Sequence, residues 1–154
     1  LELVQYAKKV IPDISLTSDV IVGFPGETYA EFQDTLSLIK KVQFTSLFTF
    51  IYSPRKGTRA AKFPDPVPAE EKSRWFQELC TTQEQIAANR CAYAVGTVQR
   101  VLVEEQNPKT GLLTGRTSGN IIVDFPGDPT ICGTFQMVKI TEARNWILTG
   151  KLAD

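Results

Sequence analysis

The sequence predicts an α/β unit followed by an all-β unit, and three observations carry that prediction. The first half alternates helical and strand-like periodicity, the pattern of parallel βα units. A proline-rich connector then leads into a stretch, Ala69 to Ala94, that holds neither proline nor glycine. Beyond Gly96 the chain breaks into short apolar segments punctuated by turn residues, the texture of a small five-stranded barrel. The expected boundaries are 1–68 for the α/β unit, 69–95 for a linking helix and 96–154 for the barrel.

Taken in order, Leu3, Val4, Ala7 and Val10 recur at helical spacing until Pro12 and Asp13 interrupt them. Ile14 to Phe24 reads as a strand with Val20, Ile21 and Val22 buried, and Phe24-Pro25-Gly26 turns out of it. Thr28 followed by Glu31 forms a capping box, after which Phe32, Leu36 and Ile39 fall on one helical face. Phe44 to Tyr52, aromatic and β-branched, is the next strand. Pro64, Pro66 and Pro68 forbid regular hydrogen bonding and mark the connector. The helix over 69–94 reaches about 40 Å at 1.5 Å per residue, with Gly96 as its C-cap. Val98–Glu104, Leu112–Thr117, Asn120–Phe125, Phe135–Ala143 and Trp146–Leu152 are the barrel strands, joined through turns such as Ser118-Gly119 and Arg144-Asn145.

Composition limits the chemistry available. Of 154 residues 42% are hydrophobic, enough for a packed core, while 17 basic and 17 acidic residues cancel. Attraction to nucleic acid must therefore come from local clusters of cations. There is no histidine, and Cys80, Cys91 and Cys132 are too widely spaced for a CxxC pair. No apolar run approaches the roughly 20 residues that span a bilayer. A cytoplasmic protein with no membrane partner is the expectation. Leu1 to Val10 has no helix-start signal, so a chain shortened at its N-terminus is expected.

Two segments have the residue types for ligand binding. In Asp19-Val20-Ile21-Val22-Gly23-Phe24-Pro25-Gly26-Glu27-Thr28 the glycines allow a ligand close to the backbone at a strand's carboxyl end, and Asp19 can accept hydrogen bonds from hydroxyl groups. An ordinary strand-to-helix turn explains the same residues. After the next strand, Arg55, Lys56, Arg59 and Lys62 put four cations in eight residues without an acid among them. That pattern suits phosphate recognition, and equally a solvated basic loop.

These segments, with Phe50-Ile51-Tyr52-Ser53-Pro54-Arg55-Lys56-Gly57-Thr58, resemble the last-strand motifs of the radical S-adenosylmethionine half-barrel in the MiaB-type methylthiotransferases. Gly115-Arg116-Thr117 with Asn120 and Asp124-Phe125-Pro126-Gly127 resembles the TRAM domain of the same enzymes. The resemblance covers nearly the whole chain. It implies the C-terminal βα units of a partial TIM-like barrel followed by an OB-like TRAM barrel. The reaction implied is methylthiolation at C2 of N6-isopentenyladenosine beside a tRNA anticodon, with tRNA rather than DNA as partner. The cofactors implied are S-adenosylmethionine and two [4Fe-4S] clusters, whose cysteine ligands belong to N-terminal domains absent from this sequence. No catalytic or metal-binding residue is expected within it.

By the same resemblance Asp19, Val22 and Gly23 lie along the cofactor's ribose and adenine, and Tyr52 and Ser53 line its adenine side. Lys56 stands where the family often has proline. Arg116, Lys139 and Arg144 are expected against RNA phosphates, converging on one face, together with the Arg55, Lys56 and Arg59 loop. Phe125 and Trp146 are either stacking surfaces or barrel core. Two other readings remain: a stand-alone RNA-binding protein with the βα part as scaffold, and a sister methylthiotransferase for threonylcarbamoyl-adenosine or a ribosomal protein.

Overall fold

The computed structural model describes residues 1–153. They divide into two compact units: residues 1–6 with 16–86, and residues 7–15 with those from Ala87 onward. Helix α1 spans Glu2–Val10, and the 26-residue helix α3 (Ala69–Ala94) contributes to both units, its residues up to Ile86 to the first and those from Ala87 to the second.

The first unit is built on a βαβ element. Strands β1 (Thr17–Val22) and β2 (Ser46–Ile51) pair in parallel, with Asp19 opposite Phe48 and Ile21 opposite Phe50. Parallel neighbours need a crossover, which α2 (Tyr29–Val42) supplies. The Thr28–Glu31 capping box is formed in both directions, and the helix ends at Gln43 in the left-handed region at φ 56°. Both strands are shorter than the sequence predicts, because pairing starts only where Thr17 meets Ser46, and Gly23, at φ +70°, already belongs to the turn.

Alternation along β1 sends Val20 and Val22 inward and Asp19 and Ile21 outward. Val22 joins Phe32, Leu36 and Ile39 of α2 and Trp75, Leu79 and Ile86 of α3 (Ala69–Ala94) in one core. Trp75 stacks on Phe32 with ring centroids 5.4 Å apart and an interplanar angle of 8°. Ile21, expected in the core, is 52% exposed. The run Val20-Ile21-Val22 conceals a two-residue period in which only the outer two point inward.

The second unit is a closed barrel of β3 (Val98–Gln106), β4 (Leu113–Thr117), β5 (Ile122–Phe125), β6 (Phe135–Arg144) and β7 (Ile147–Leu152), in the order β3-β4-β5-β7-β6. Four neighbouring pairs are antiparallel and β5–β7 is parallel. The third strand begins at Ile122 rather than Asn120, since Asn120 sits at φ 63° and its N–H closes a turn on the Thr117 carbonyl. Val101, Val103, Leu113, Val123, Phe125, Val138, Ile140 and Leu148 fill the interior, with Cys91 of α3 packed against them. Gly115 and Gly150 face places where strands approach too closely for a side chain: a Cβ on Gly150 would stand 2.6 Å from Val138 Cγ1 and 2.7 Å from the Lys139 carbonyl oxygen. Gly96, at φ +87°, follows α3 and donates its N–H to the Ile140 carbonyl.

A nucleotide-sized cleft and a basic barrel face

In the first unit the outward residues of β1 and β2 form the floor of a cleft of about 510 Å³, a size ordinary for small-molecule sites. Asp19 from β1 lines it with Tyr52 and Ser53 from the loop after β2, and Arg55, expected against RNA phosphates, lines it with them. Ile21, Phe24 and Phe50 line it too. The same two-residue period that exposes Asp19 would have found Ile21. Phe24 packs edge-on against Tyr52, with centroids 5.1 Å apart and planes at 69°.

Val22 and Gly23 are not among the lining residues. The Val22 side chain is wholly buried in the core, and its carbonyl accepts the Tyr52 N–H. Gly23 and Phe24 turn their N–H groups onto the Glu27 carboxylate, which closes the turn from within. Gly23 has a second reason to be glycine, because a Cβ there would come within 2.6 Å of Lys72 Cδ. Lys72, buried on α3, is ion-paired with Asp65 and holds its ammonium 5.9 Å from the Tyr52 ring centroid. The Tyr52 hydroxyl is buried with no hydrogen-bond partner among the described residues. Lys56 and Arg59 are exposed and lie outside the cleft.

On the barrel, Arg116 of β4 donates to Glu104 and to Asn120, each at 3.1 Å. Arg144 is held by both Glu142 carboxylate oxygens, at 2.9 and 3.2 Å, and this bond and charge raise its pKa further above the ordinary arginine value. Arg116 and Arg144 line separate clefts, of about 320 and 560 Å³, and Lys139 lines neither. Strand pairing puts Arg100 of β3 in the Arg116 cleft, where its guanidinium lies 3.8 Å from the Phe135 ring centroid. Phe125 is core, whereas Trp146 is 47% exposed.

Among the described residues no three His, Cys, Asp or Glu side chains are grouped to hold a metal, and Cys80, Cys91 and Cys132 are free thiols. Burial raises the Cys91 pKa, which the nearby Arg90 charge only partly opposes. Among the described residues no helix is long and apolar enough to cross a membrane.

Residues 93–153, the barrel and the end of α3, match the TRAM domain family. Over its full length the chain is 47% identical to a tRNA-2-methylthio-N(6)-dimethylallyladenosine synthase of Geobacillus thermodenitrificans and 44% identical to one from Moorella thermoacetica. A Clostridium botulinum protein of the same name is 44% identical over 98% of the chain. Along its length the chain is similar to synthases that share this one name. It spans about a third of these relatives' length, 30%, 35% and 34% respectively. The TRAM match coincides with the closed barrel, so the Arg116–Asn120 contact and the Arg100–Phe135 pair are features of the TRAM unit, while Asp19 and the Tyr52 loop precede it.

Proposed function

We propose that this chain supplies the cofactor-flanking βα segment and the RNA-holding barrel of an enzyme that methylthiolates C2 of N6-isopentenyladenosine beside a tRNA anticodon. The observation that carries the reading is whole-length similarity, at 44–47% identity, to synthases named for that product. In this reading β1-α2-β2 are the last units of an incomplete TIM-like barrel, the barrel is an OB-like RNA module, and the protein works in the cytoplasm on tRNA. The domain limits proposed are 1–68, 69–95 and 96–154.

The residues present fit one of the implied cofactors and not the other. S-adenosylmethionine fits the cleft: Asp19 can accept from ribose hydroxyls, Phe24 and Tyr52 offer aromatic surface to adenine, and the unpartnered Tyr52 hydroxyl can take a polar contact. That cofactor supplies the radical when bound beside a reduced cluster. An iron–sulfur cluster does not fit, because no cysteines are brought together here. Its ligands would have to come from outside this sequence.

Within the cleft, Asp19 orients the ribose, and Tyr52 and Ser53 border the adenine. Val22 and Gly23 act through the backbone that shapes the turn. Arg116, Lys139 and Arg144 on the barrel, with Arg55, Lys56 and Arg59 on the loop, remain the proposed phosphate contacts. Calorimetry of the chain with S-adenosylmethionine tests the cleft. Weak binding that disappears in Asp19→Ala is expected, and micromolar affinity that survives Asp19→Ala would overturn the assignment. Filter binding of an anticodon stem-loop at several salt concentrations tests the barrel. Arg116→Ala should lower the log–log salt slope by about 0.7 to 0.9.

A further inference from the structure

We propose that the outer face of β6, β3 and β4 is a stacking site for an unpaired nucleobase of RNA, centred on Phe135 and Arg100. This rests on the RNA-binding reading of the barrel and gives it a place that the cation motifs in the sequence do not indicate.

The argument begins with alternation. On β6, Val138 and Ile140 fill the interior, so Phe135, Met137 and Lys139 stand outside. On β3, Val101 and Val103 point in, so Arg100 and Leu102 point out. The registers then assemble one surface: Leu102 pairs with Phe135 on one side and with Arg116 on the other, and Arg100 pairs with Met137. Outer positions of a solvated barrel are ordinarily polar, yet Phe135 is 55% and Met137 50% exposed. An aromatic ring left half in water, in a cleft with two arginines, is poorly explained by the barrel's own packing.

Chemistry then selects the occupant. The Arg100 guanidinium rests 3.8 Å from the Phe135 centroid, and among the described residues no carboxylate engages it. The pair presents a flat, cationic surface whose N–H donors are unspent. Bases of any sequence stack on such aromatic and guanidinium planes. Arg116, steadied by Glu104 and Asn120, lies in the same 320 Å³ cleft and can meet a flanking phosphate. Among the described residues Glu104 is the one acid lining that cleft, against two arginines. The larger cleft around Trp146 offers the opposite balance, one arginine already bound to Glu142 with Asp124 also in the lining. The polyanion should therefore prefer the Phe135 face.

The test uses the full chain and an anticodon stem-loop RNA with 2-aminopurine in its loop, followed by anisotropy for affinity and by quenching for stacking. Phe135→Ala should weaken binding by about 5- to 100-fold and abolish the quench. Phe135→Leu, which keeps apolar bulk without a π-face, should behave like the alanine variant, whereas Phe135→Trp should keep both signals. Arg100→Ala should also weaken binding and reduce the quench, whereas Arg116→Ala should keep the quench and lower the salt slope by about 0.7. Circular dichroism identical to wild type establishes that each variant folds. If wild type binds but the Phe135 variants bind and quench equally well, the stacking site is wrong and the RNA-binding reading survives. If wild type binds no RNA, both fall.

Discussion

Lys72 and Asp65 allow a prediction in which the two halves of one ion pair behave differently. The Lys72 side chain is 7% exposed and that of Asp65 34%. Removing one partner of a fully buried pair is destabilising by about 3–5 kcal/mol, because the other charge is left without compensation. Asp65→Ala strands the deeply buried ammonium, but the third of Asp65 in water shows that solvent reaches the pair. The expected loss is thus nearer ~2 kcal/mol. Lys72→Met keeps the stem that packs against Gly23 and strands only the better-solvated carboxylate. Its expected effect is within ~1 kcal/mol of wild type. The double variant should resemble Lys72→Met alone, giving a coupling of ~2 kcal/mol in a double-mutant cycle. Urea unfolding followed by the buried Trp75, with Trp146→Phe as common background, measures all four proteins. Equal losses in the two single variants that add in the double would refute the reasoning and assign Lys72 to stem packing alone.

Three further outcomes follow from the same structure. Gly115→Ala should destabilise the barrel by about 2–3 kcal/mol, since its Cβ would strike the Leu102 carbonyl and stand 2.7 Å from Val101 Cγ1; Gly133→Ala, in open space at φ +83°, should lose only ~1 kcal/mol, and thermal melts of the two compare them. Iodoacetamide mapped by mass spectrometry should label Cys91 last, because burial raises its pKa, and its stabilising contribution should be complete below the unfolded thiol pKa and fade as pH rises through the folded one; labelling of Cys91 as fast as Cys80 would contradict this. Glu31 is held below its usual pKa of 4.5 by the Thr28 backbone N–H and then its hydroxyl, so its capping contribution is present above that value and lost as pH falls through the lower folded one. Amide shifts in the first turn of α2 should titrate below 4.5 and stop doing so in Glu31→Gln.

How much of this was legible in the sequence depends on the distance between the residues concerned. The capping box was readable because Thr28 and Glu31 are three positions apart and each names the other's role. The five barrel strands were readable from turn chemistry, and the exposure of Asp19 from its place on β1. Ile21 was misplaced because a continuous apolar run hides which members face the core. Arg100 and Phe135 left no local signal at all: only the β3–β6 register brings them together. The parallel β5–β7 contact is of the same kind, a consequence of closure that no turn announces.

That parallel contact governs how the barrel can come into being. β7 is the strand that joins β5 to β6, and it is the last of the five to be synthesised. Without Ile147 to Leu152, a sheet of the other four strands would leave β5 and β6 as unpaired edges, a template on which another chain can add itself. Closure therefore rests on this one strand, and its loss would expose two edges at once.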